Sequence, residues 1–337
     1  MKIGILTSGG DAPGINATIR SIGKTAINFY GMEVVGIQGG FSGLLYEDVT
    51  PLTNESLSGI LNLGGTILGT AREKMFRKLI TSPDETDRIK IRDAYHKLGL
   101  NCLVCIGGNG TQRTTWMLHE MGINVVGIPK TIDNDVFGTD ITFGFDTAVN
   151  TATEAIDRLH STASSHRRIM VIELMGHDVG WIALHAGIAG GADVILLPEF
   201  GYNMEVVLDA IRRRMEMGKA YSIVAVAEGI SIPDDRSPAR FFTEEIAKHT
   251  GFESRETVLG YVQRGGSPSP FDRSLGTLFG GHATQLIHEK QFGRMVAKIG
   301  NEITDVLLED VTGKLRVVTN DAPLVIQGKR MGVSFGV

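Results

Sequence analysis

Two aspartates, one residue apart, follow an apolar run near the middle of the chain. Residues 124–128 have the pattern of a buried strand, and Asp133 and Asp135 lie in the short polar stretch after it. In a doubly wound sheet, ligands collect at the carboxyl ends of the strands. One carboxylate could therefore accept a proton from a substrate while the other orients a metal ion or a neighbouring group. The alternative is an ordinary turn rich in aspartate and asparagine.

Glycine-rich segments follow two further apolar runs and are candidates for phosphate binding. Gly9-Gly10-Asp11 comes after residues 2–7, and Gly107-Gly108-Asn109-Gly110-Thr111 comes after residues 102–106. Glycines let backbone N–H groups approach an anion, and a helix that begins there adds its positive end. Neither segment matches a Walker loop or a dinucleotide fingerprint, which argues against a nicotinamide oxidoreductase. A tight βα turn is the alternative for each segment.

Four arginines lie close to strand or glycine-segment boundaries. Arg72 follows a glycine-rich stretch, Arg168 opens an apolar run, and Arg255 and Arg264 flank another. Surface arginines are usually solvated, but an arginine at such a boundary is well placed to make a bidentate contact with a phosphate. We therefore expect an anion site made of glycine turns and guanidinium groups.

The elements that must position these residues alternate along the chain. Further short apolar runs, each followed closely by glycine or charge, occupy residues 169–174, 223–227 and 258–262. Such runs are typical of parallel strands buried on both faces, and the pattern predicts right-handed βαβ units. We expect all the functional-looking residues at one edge of the sheet. Helices are expected near residues 14–28, 84–98, 111–121, 146–164, 179–190, 204–218, 243–250 and 272–288.

Composition narrows the class of protein. A chain of 337 residues suggests two domains. Its 33 basic and 38 acidic residues give a net charge of −5, which predicts no general affinity for nucleic acid. No apolar run reaches the roughly 18 residues of a membrane span, and the amino terminus starts directly on a strand pattern. We expect a soluble, cytoplasmic protein without membrane contact.

Cys102 and Cys105 form a C-x-x-C pattern. A redox or metal-binding role is the alternative to a structural one. The two residues lie inside a predicted strand, where positions three apart face opposite sides, and the chain has no second cysteine pair for a closed zinc site. We expect two buried, inert thiols.

Over nearly its whole length the chain resembles the 6-phosphofructokinases. The resemblance lies in five ordered motifs, at residues 7–16, 107–111, 131–135, 175–176 and 263–268. It implies two Rossmann-like α/β/α domains with mostly parallel sheets and an active site in the cleft between them. A donor-binding domain would comprise residues 1–140 and about 257–305. A domain for fructose 6-phosphate would comprise residues 141–256 and about 306–337.

The resemblance also implies a glycolytic kinase that transfers the ATP γ-phosphoryl group to the 1-hydroxyl of fructose 6-phosphate. Asp133 would be the general base, and Thr131 and Asp135 would support the transferring group. Asn109 and Asp135 would lie near Mg²⁺. Arg72 would bridge towards the phosphoryl group. Donor-binding residues would be Gly10, Arg72, Gly108, Asn109, Gly110, Thr111 and Lys130. Sugar-binding residues would be Thr131, Asp133, Met175, Gly176, His177, Glu228, Tyr261 and Arg264. Arg168 and Arg255 would reach the substrate of a neighbouring subunit, which implies a homodimer or homotetramer.

Several positions depart from the family pattern. Asn109 replaces a metal-binding aspartate, His177 replaces an arginine, and Tyr261 replaces a histidine. Lys130 is shared with pyrophosphate-dependent members of the family and with some ATP-dependent ones. Gly110 has the small residue typical of ATP use, whereas pyrophosphate enzymes have an aspartate that would repel the α-phosphate. We expect ATP as donor. The alternatives are a diphosphate-dependent phosphotransferase and a non-catalytic sugar-phosphate-binding subunit.

Overall fold

A computed structural model describes the chain except for residues 72–75, 77, 79–80, 83–84 and 220. The chain divides into two compact units. Unit 1 comprises Met1–Asp146 and Arg264–Leu315, and unit 2 comprises Thr147–Gln263 and Arg316–Val337. The backbone therefore passes from one unit to the other three times. The assignment of donor and sugar to separate domains stays a prediction.

Unit 1 is built on a seven-stranded sheet with the order β11-β10-β5-β4-β1-β2-β3. Strands β10, β5, β4, β1 and β2 are parallel, whereas β11 and β3 are antiparallel edge strands. The strands are β1 (Lys2–Thr7), β2 (Glu33–Ile37), β3 (Val49–Pro51), β4 (Cys102–Gly107), β5 (Val125–Pro129), β10 (Arg294–Ile299) and β11 (Glu302–Leu307). The central strands are fully buried, as expected for a sheet covered on both faces.

Helices cover unit 1's sheet. They are α1 (Ile15–Asn28), α2 (Phe41–Leu45), α3 (Glu85–Lys97), α4 (Asn109–Glu120), α9 (Pro270–His288) and α10 (Leu308–Val311), and α5 (Phe145–His166) begins at the boundary with unit 2. Alternate residues of β4 enter two separate apolar clusters: Cys102 and Val104 pack in one, and Leu103 and Cys105 in the other. The sheet thus separates two cores.

Unit 2 has a four-stranded, wholly parallel sheet with the order β7-β8-β6-β9. Its strands are β6 (Ile169–Leu174), β7 (Val194–Leu196), β8 (Ser222–Ala227) and β9 (Ser254–Val258). Its further helices are α6 (Trp181–Ala189), α7 (Met204–Glu216), α8 (Pro238–Thr250) and α11 (Pro323–Arg330). Phe241 and Phe242 of α8 pack with aliphatic residues of β6, β7 and β8 in its core.

The predicted fold class is confirmed, since both units are α/β with mostly parallel strands. One predicted strand is wrong. Of the predicted residues 258–262, only the first lies in a strand, because β9 ends at Val258 and Gly260–Arg264 form a 3₁₀ helix. Gly260 has a φ of 55°, which is incompatible with an extended chain. The real strand was overlooked because it is polar, with Arg255 and Glu256 exposed at the sheet edge.

Both cysteines are free and buried, as expected from the sequence. Burial raises the pKa of the Cys105 thiol to about 12 and that of Cys102 well above its usual range. The two groups lie in different apolar clusters on opposite faces of β4. In the described part of the chain, no helix is long and apolar enough to cross a membrane.

Candidate active site

The carboxyl ends of three adjacent parallel strands bring the predicted donor segments together. In unit 1's sheet, β4 pairs with β1 on one side and with β5 on the other. Backbone bonds continue past the strand ends, since the Ser8 amide donates to the Ile106 carbonyl and the Lys130 amide to the Gly107 carbonyl, both at 3.0 Å. The segments after residues 7, 107 and 129 are therefore neighbours at one edge of this sheet.

Asp133 lies in a tightly bonded loop after β5. Its Oδ2 accepts a hydrogen bond from the Thr131 hydroxyl at 3.1 Å, and its backbone N–H donates to the same hydroxyl oxygen at 3.1 Å. The Thr142 hydroxyl donates to the Thr131 carbonyl at 2.8 Å, and its amide donates to Asn134 Oδ1 at 3.0 Å. Asn134 takes a left-handed conformation with φ 54°. These bonds fix the loop, so the buried Asp133 carboxylate has a defined position.

Asn109 and Asp135 are in direct contact. Asn109 Nδ2 donates to Asp135 Oδ2 at 2.7 Å and to the Asp135 carbonyl at 3.3 Å. An aspartate at position 109 would place a second negative charge against this carboxylate. In this chain the side chain of residue 109 therefore orients Asp135.

Helix α4 begins in this region without a capping side chain. Its N-cap is Gly108, and its first intrahelical bonds run from the amides of Thr111 and Gln112 to the Gly108 carbonyl at 2.9 and 3.0 Å. The amides of Asn109 and Gly110 belong to that first turn, have no acceptor within the helix and point towards its amino terminus. Together with the positive end of the helix dipole, they favour an anion.

Lys130 is buried among the three segments, with 3% of its surface exposed. Its ammonium group donates to the Gly10 carbonyl. Burial, reinforced by the nearby Arg264 guanidinium, lowers the pKa of Lys130 to about 8, against the opposing effect of Asp133, Asp11 and Asp135. Near neutral pH the lysine is therefore mostly a cation, positioned between the β1 and β5 segments.

Gly10 leaves room for the close approach of Arg264. Arg264 Nη1 donates to the Asp11 carbonyl at 3.2 Å, and a Cβ at position 10 would collide with the Arg264 guanidinium. The structure thus brings Arg264 to the β1 segment of unit 1. Its predicted contact with a sugar phosphate stays a prediction.

Two positioning residues were missed by the sequence analysis. Gln112 is buried in α4, and its Nε2 donates to the carbonyls of Gly107 and Ile128 at 2.8 and 2.9 Å, which ties the ends of β4 and β5 together. Thr142 fixes the loop that contains Asp133, as described above. The sequence offered no signal for Gln112 beyond its place directly after the glycine-rich segment, because its burial and its two acceptors are tertiary features.

In unit 2, Glu228 organises the loop after β6. Its Oε1 accepts hydrogen bonds from the amides of Gly176 and His177 at 3.2 and 2.9 Å. The Glu228 amide in turn donates to the Leu174 carbonyl at 2.9 Å. His177 has a φ of 53°, an uncommon conformation for a residue with a side chain, and it pairs with the Asp178 carboxylate at 2.9 Å. Both are exposed, and Met175 is buried.

Arg168 and Arg255 lie at the other edge of unit 2's sheet, so the expectation of a single functional edge is wrong. Arg168 precedes β6, and Arg255 is the second residue of β9, whereas Met175 and Gly176 follow β6. The six residues of β6 span roughly 20 Å at a rise of about 3.3 Å per residue. Within one chain these arginines cannot share a site with Met175 and Gly176.

Arg72 and Tyr261 are the remaining predicted site residues. Arg72 lies outside the described residues. Tyr261, in the 3₁₀ helix of unit 2, is 78% exposed, so its side chain is open to a ligand or to another chain.

Among the described residues, no group of three or more histidine, cysteine or acidic side chains is arranged to hold a metal ion. A metal at this site would need ligands from a substrate as well.

Adjacent glycine turns, an uncapped helix amino terminus, a buried lysine and a fixed aspartate define an α/β enzyme that handles phosphate groups. The family model described as Phosphofructokinase matches residues 2–287. The chain belongs to the phosphofructokinase family.

Curated relatives match over the whole chain. It is 60% identical over 336 residues to ATP-dependent 6-phosphofructokinase 3 of Bacteroides thetaiotaomicron, covering 100% of both chains. It is 44% identical over 356 residues to pyrophosphate–fructose 6-phosphate 1-phosphotransferase of Streptomyces coelicolor, again covering 100% of both. The family thus includes relatives of similar length that are named for different phosphoryl donors.

Solved structures give the same fold. A phosphofructokinase from Saccharomyces cerevisiae superposes with a TM-score of 0.81 at 31% identity, covering 92% of this chain and 45% of that one, so the present chain spans less than half of the yeast protein. A pyrophosphate-dependent phosphofructokinase from Nitrosospira multiformis gives a TM-score of 0.85 at 18% identity, covering 95% and 86% of the two chains. This second likeness concerns the fold alone.

Proposed function

We propose that this protein is an ATP-dependent 6-phosphofructokinase, which transfers the γ-phosphoryl group of ATP to the 1-hydroxyl of fructose 6-phosphate. The principal observation is the fixed, buried Asp133 carboxylate next to two glycine turns at the ends of β1 and β4. Relatives named ATP-dependent 6-phosphofructokinase, up to 60% identical over the full length, support the assignment. Such a kinase of sugar phosphates works in glycolysis, and we assign it to the cytoplasm.

The donor phosphates bind at the edge formed by the β1, β4 and β5 segments. The amides of Gly10, Gly108, Asn109 and Gly110 face the phosphate oxygens, and Thr111, whose amide bonds the Gly108 carbonyl, completes the first turn of α4. Lys130 adds a charge that its bond to the Gly10 carbonyl holds near the turn. Arg72, by resemblance to the family, contacts the transferring group. Backbone donors and fixed cations of this kind stabilise phosphate without reorganisation during the reaction.

Asp133 accepts the proton of the 1-hydroxyl as the sugar oxygen attacks the γ-phosphorus, and the bond from that phosphorus to the β,γ-bridging oxygen breaks to release ADP. The Thr131 hydroxyl, which donates to Asp133 Oδ2, keeps this carboxylate oriented. Because the transition state of phosphoryl transfer is loose, positioning and charge neutralisation supply most of the rate enhancement. The loop bonds to Thr142 contribute by holding the base still.

The loop after β5 has residues suited to a Mg²⁺ ion that enters the site bound to ATP. Magnesium in kinases is commonly held by one or two carboxylates, several waters and substrate phosphates, and Asp135, oriented by Asn109, is a carboxylate of this type. Asp135 would hold the ion, and the Asn109 side chain would support it. When bound, Mg²⁺ neutralises charge on the donor phosphates. Asp135 itself places a fixed negative charge on one side of the site.

By resemblance to the family, we assign sugar-phosphate binding to Thr131, Asp133, Met175, Gly176, His177, Glu228, Tyr261 and Arg264. The bonds from Gly176 and His177 to Glu228 support this assignment, because they preset the loop that would meet the sugar. Arg168 and Arg255 serve the substrate of a second copy of the chain. Their location at the amino edge of unit 2's sheet supports that role and a homodimer or homotetramer.

ATP is the donor that position 110 favours. Gly110 lies in the first turn of α4, where an aspartate would place a negative charge beside the α-phosphate of a nucleotide. Lys130, shared with pyrophosphate enzymes, does not exclude ATP because a cation is compatible with either donor. The 44% identical relative named as a pyrophosphate enzyme makes diphosphate the second candidate.

A donor assay tests the proposal. The protein, in the presence of Mg²⁺ and fructose 6-phosphate, is supplied with ATP alone or pyrophosphate alone, and fructose 1,6-bisphosphate is measured. We expect turnover with ATP and a loss of kcat of ~10²-fold or more in Asp133→Ala, the usual magnitude for a general base. Asp157→Ala, which removes an exposed carboxylate of α5, is the control. Turnover with pyrophosphate alone would reassign the donor, and full activity of Asp133→Ala would reject the base.

A further inference from the structure

The amino edge of unit 2's sheet places one carboxylate between two arginines. Strands β6 and β9 pair in parallel with Ile169 opposite Ser254, and the Ile169 amide donates to the Glu253 carbonyl at 3.0 Å. This register puts Arg168, just before β6, beside Glu253, just before β9. Arg255 lies two residues further along β9 and points to the same face of the sheet as Glu253. Glu253 was not singled out by any motif in the sequence.

Glu253 contacts both guanidinium groups. Its Oε2 is 2.9 Å from Arg168 Nε, and its Oε1 accepts a hydrogen bond from Arg255 Nη2. Arg255 Nη1 donates to the Ser254 carbonyl at 3.0 Å. The bond from Arg168 lowers the pKa of the Glu253 carboxyl, and the charges of Arg168, Arg255 and His166 act in the same direction. The group is therefore a carboxylate at neutral pH.

The cluster keeps an excess of positive charge after this pairing. Two guanidinium groups face a single carboxylate, and Arg167 and His166 are adjacent in the sequence. Each guanidinium offers five N–H donors, and Glu253 uses the Nε side of Arg168 and one terminal nitrogen of Arg255. Donors remain on both side chains for the planar fork contact that arginine makes with phosphate. The cluster therefore suits a dianionic phosphate group.

We propose that Glu253 is a positioning residue for substrate recognition, which orients Arg168 and Arg255 to receive the 6-phosphate of fructose 6-phosphate bound to a second copy of the chain. The proposal rests on the proposed function. Its physical basis is preorganisation: a free arginine must give up rotamer freedom on binding phosphate, whereas an arginine already paired on its other side has given up most of it during folding. Glu253 acts through the arginines and does not touch the sugar.

Steady-state kinetics of Glu253→Gln test this role. Glutamine keeps the size of the side chain but loses the charge that orients two guanidinium groups. We expect the KM for fructose 6-phosphate to rise about tenfold, which is the scale of one weakened charge-assisted contact, while kcat and the KM for ATP change less than about twofold. Glu253→Asp, which keeps the charge, should restore part of the affinity.

Glu244→Gln is a matched control. Glu244, in α8 of the same unit, also lies between two arginines, with Arg240 Nε at 2.8 Å and Arg236 Nη1 at 2.5 Å. Its side chain is 47% exposed, compared with 44% for Glu253. The KM for fructose 6-phosphate should not change in this control. An equal rise in both variants would point to a general electrostatic effect and reject the proposal.

A double-mutant cycle separates positioning from general destabilisation. If Glu253 acts through Arg168, then adding Glu253→Gln to Arg168→Ala should raise the KM much less than it does in the wild type. An unchanged KM in Glu253→Gln, or a fully additive cycle, would overturn the proposal. Failure of the proposed function is a different result, since the wild type itself would then show no phosphoryl transfer to fructose 6-phosphate.

Discussion

Asp133 is the side chain whose environment is most specialised for chemistry. Thr131 bonds both its carboxylate and its amide, and Thr142 bonds the loop on either side of it. A flexible carboxylate would spend most of its time away from an attack geometry, whereas this one is fixed before substrate arrives. The backbone strain at Asn134, with φ 54°, is offset by its side-chain bond to Thr142.

Lys130 should make donor binding depend on pH. Burial and Arg264 lower its pKa to about 8, so the ammonium charge is present below that pH and is lost as the pH rises through it. Because kcat/KM reports ionisations of the free enzyme, kcat/KM for ATP should fall above pH ~8. A titration of initial rates from pH 6.5 to 9.5 measures this.

In Lys130→Met this alkaline decline should disappear, because no charge remains to be lost at that position. Lys78→Met, which changes an exposed lysine, should keep the decline. A flat profile in the wild type, or the same decline in Lys130→Met, would assign the effect to a different group.

The site depends on how elements of unit 1 are joined. Gln112 of α4 bonds the carbonyls at the ends of β4 and β5, where the Gly108 and Lys130 segments begin. Gln112→Met should lower stability by about 1–3 kcal/mol, since the buried carbonyls of Gly107 and Ile128 each lose one donor, and should reduce activity because the two segments are no longer held in register. Thermal unfolding and initial rates measure both effects.

Gln285→Met is the control for this change. Gln285 is exposed on α9, where it bonds only the side chain of Glu289 among the contacts described, and surface changes of this kind usually stay within about 0.5 kcal/mol. If Gln112→Met were as stable and as active as the control, the bonds to the two strand ends would have no part in shaping the site.

The sequence was sufficient for most of the longer helices, for several buried strands and for the donor segments. Amphipathic spacing located α1, α5 and α9 to within a few residues, because burial on one face forces a period of 3.6. Runs of apolar residues located β1, β4 and β5, whose glycine- and aspartate-rich continuations do converge. The resemblance to the family supplied the substrate, which no pattern of burial could have indicated.

Other features depended on information that local patterns lack. The polar strand β9 is stabilised by pairing with β6, so its own residues carry no apolar alternation. Arg168 directly precedes β6, so the full length of that strand separates it from the residues that follow β6, and the expectation of one functional edge did not allow for this. Gln112 and Glu253 act through partners remote in sequence, at Ile128 and Arg168. Tertiary contacts alone define their roles.

At the scale of the whole molecule, the position of Arg255 predicts sites shared between copies. If each site combines Asp133 of one chain with Arg255 of another, then coexpressed Asp133→Ala and Arg255→Ala chains should restore activity. In a randomly mixed dimer, half of the assemblies would contain both variants and one intact site of two, so about a quarter of wild-type activity is expected. The assay is run at fructose 6-phosphate concentrations well below the wild-type KM.

The corresponding control mixes the Asp133→Ala chain with a chain that has both Asp133→Ala and Arg255→Ala. No chain in this mixture has Asp133, so no site is intact. This mixture should stay inactive. Absence of recovery in the test mixture, with mixed oligomers demonstrated by affinity tags, would show that each chain builds its site alone.

The pairing of β10 with β5 has a consequence during protein synthesis. The ribosome produces β5 early, but the strand that covers its outer side begins only at Arg294. At about 5–20 residues per second, translation of the intervening residues takes roughly ten to thirty seconds. Throughout that interval an apolar strand presents unpaired N–H and C=O groups to solvent, and such an edge invites intermolecular pairing. The nascent chain would therefore benefit from a chaperone until its final third has emerged.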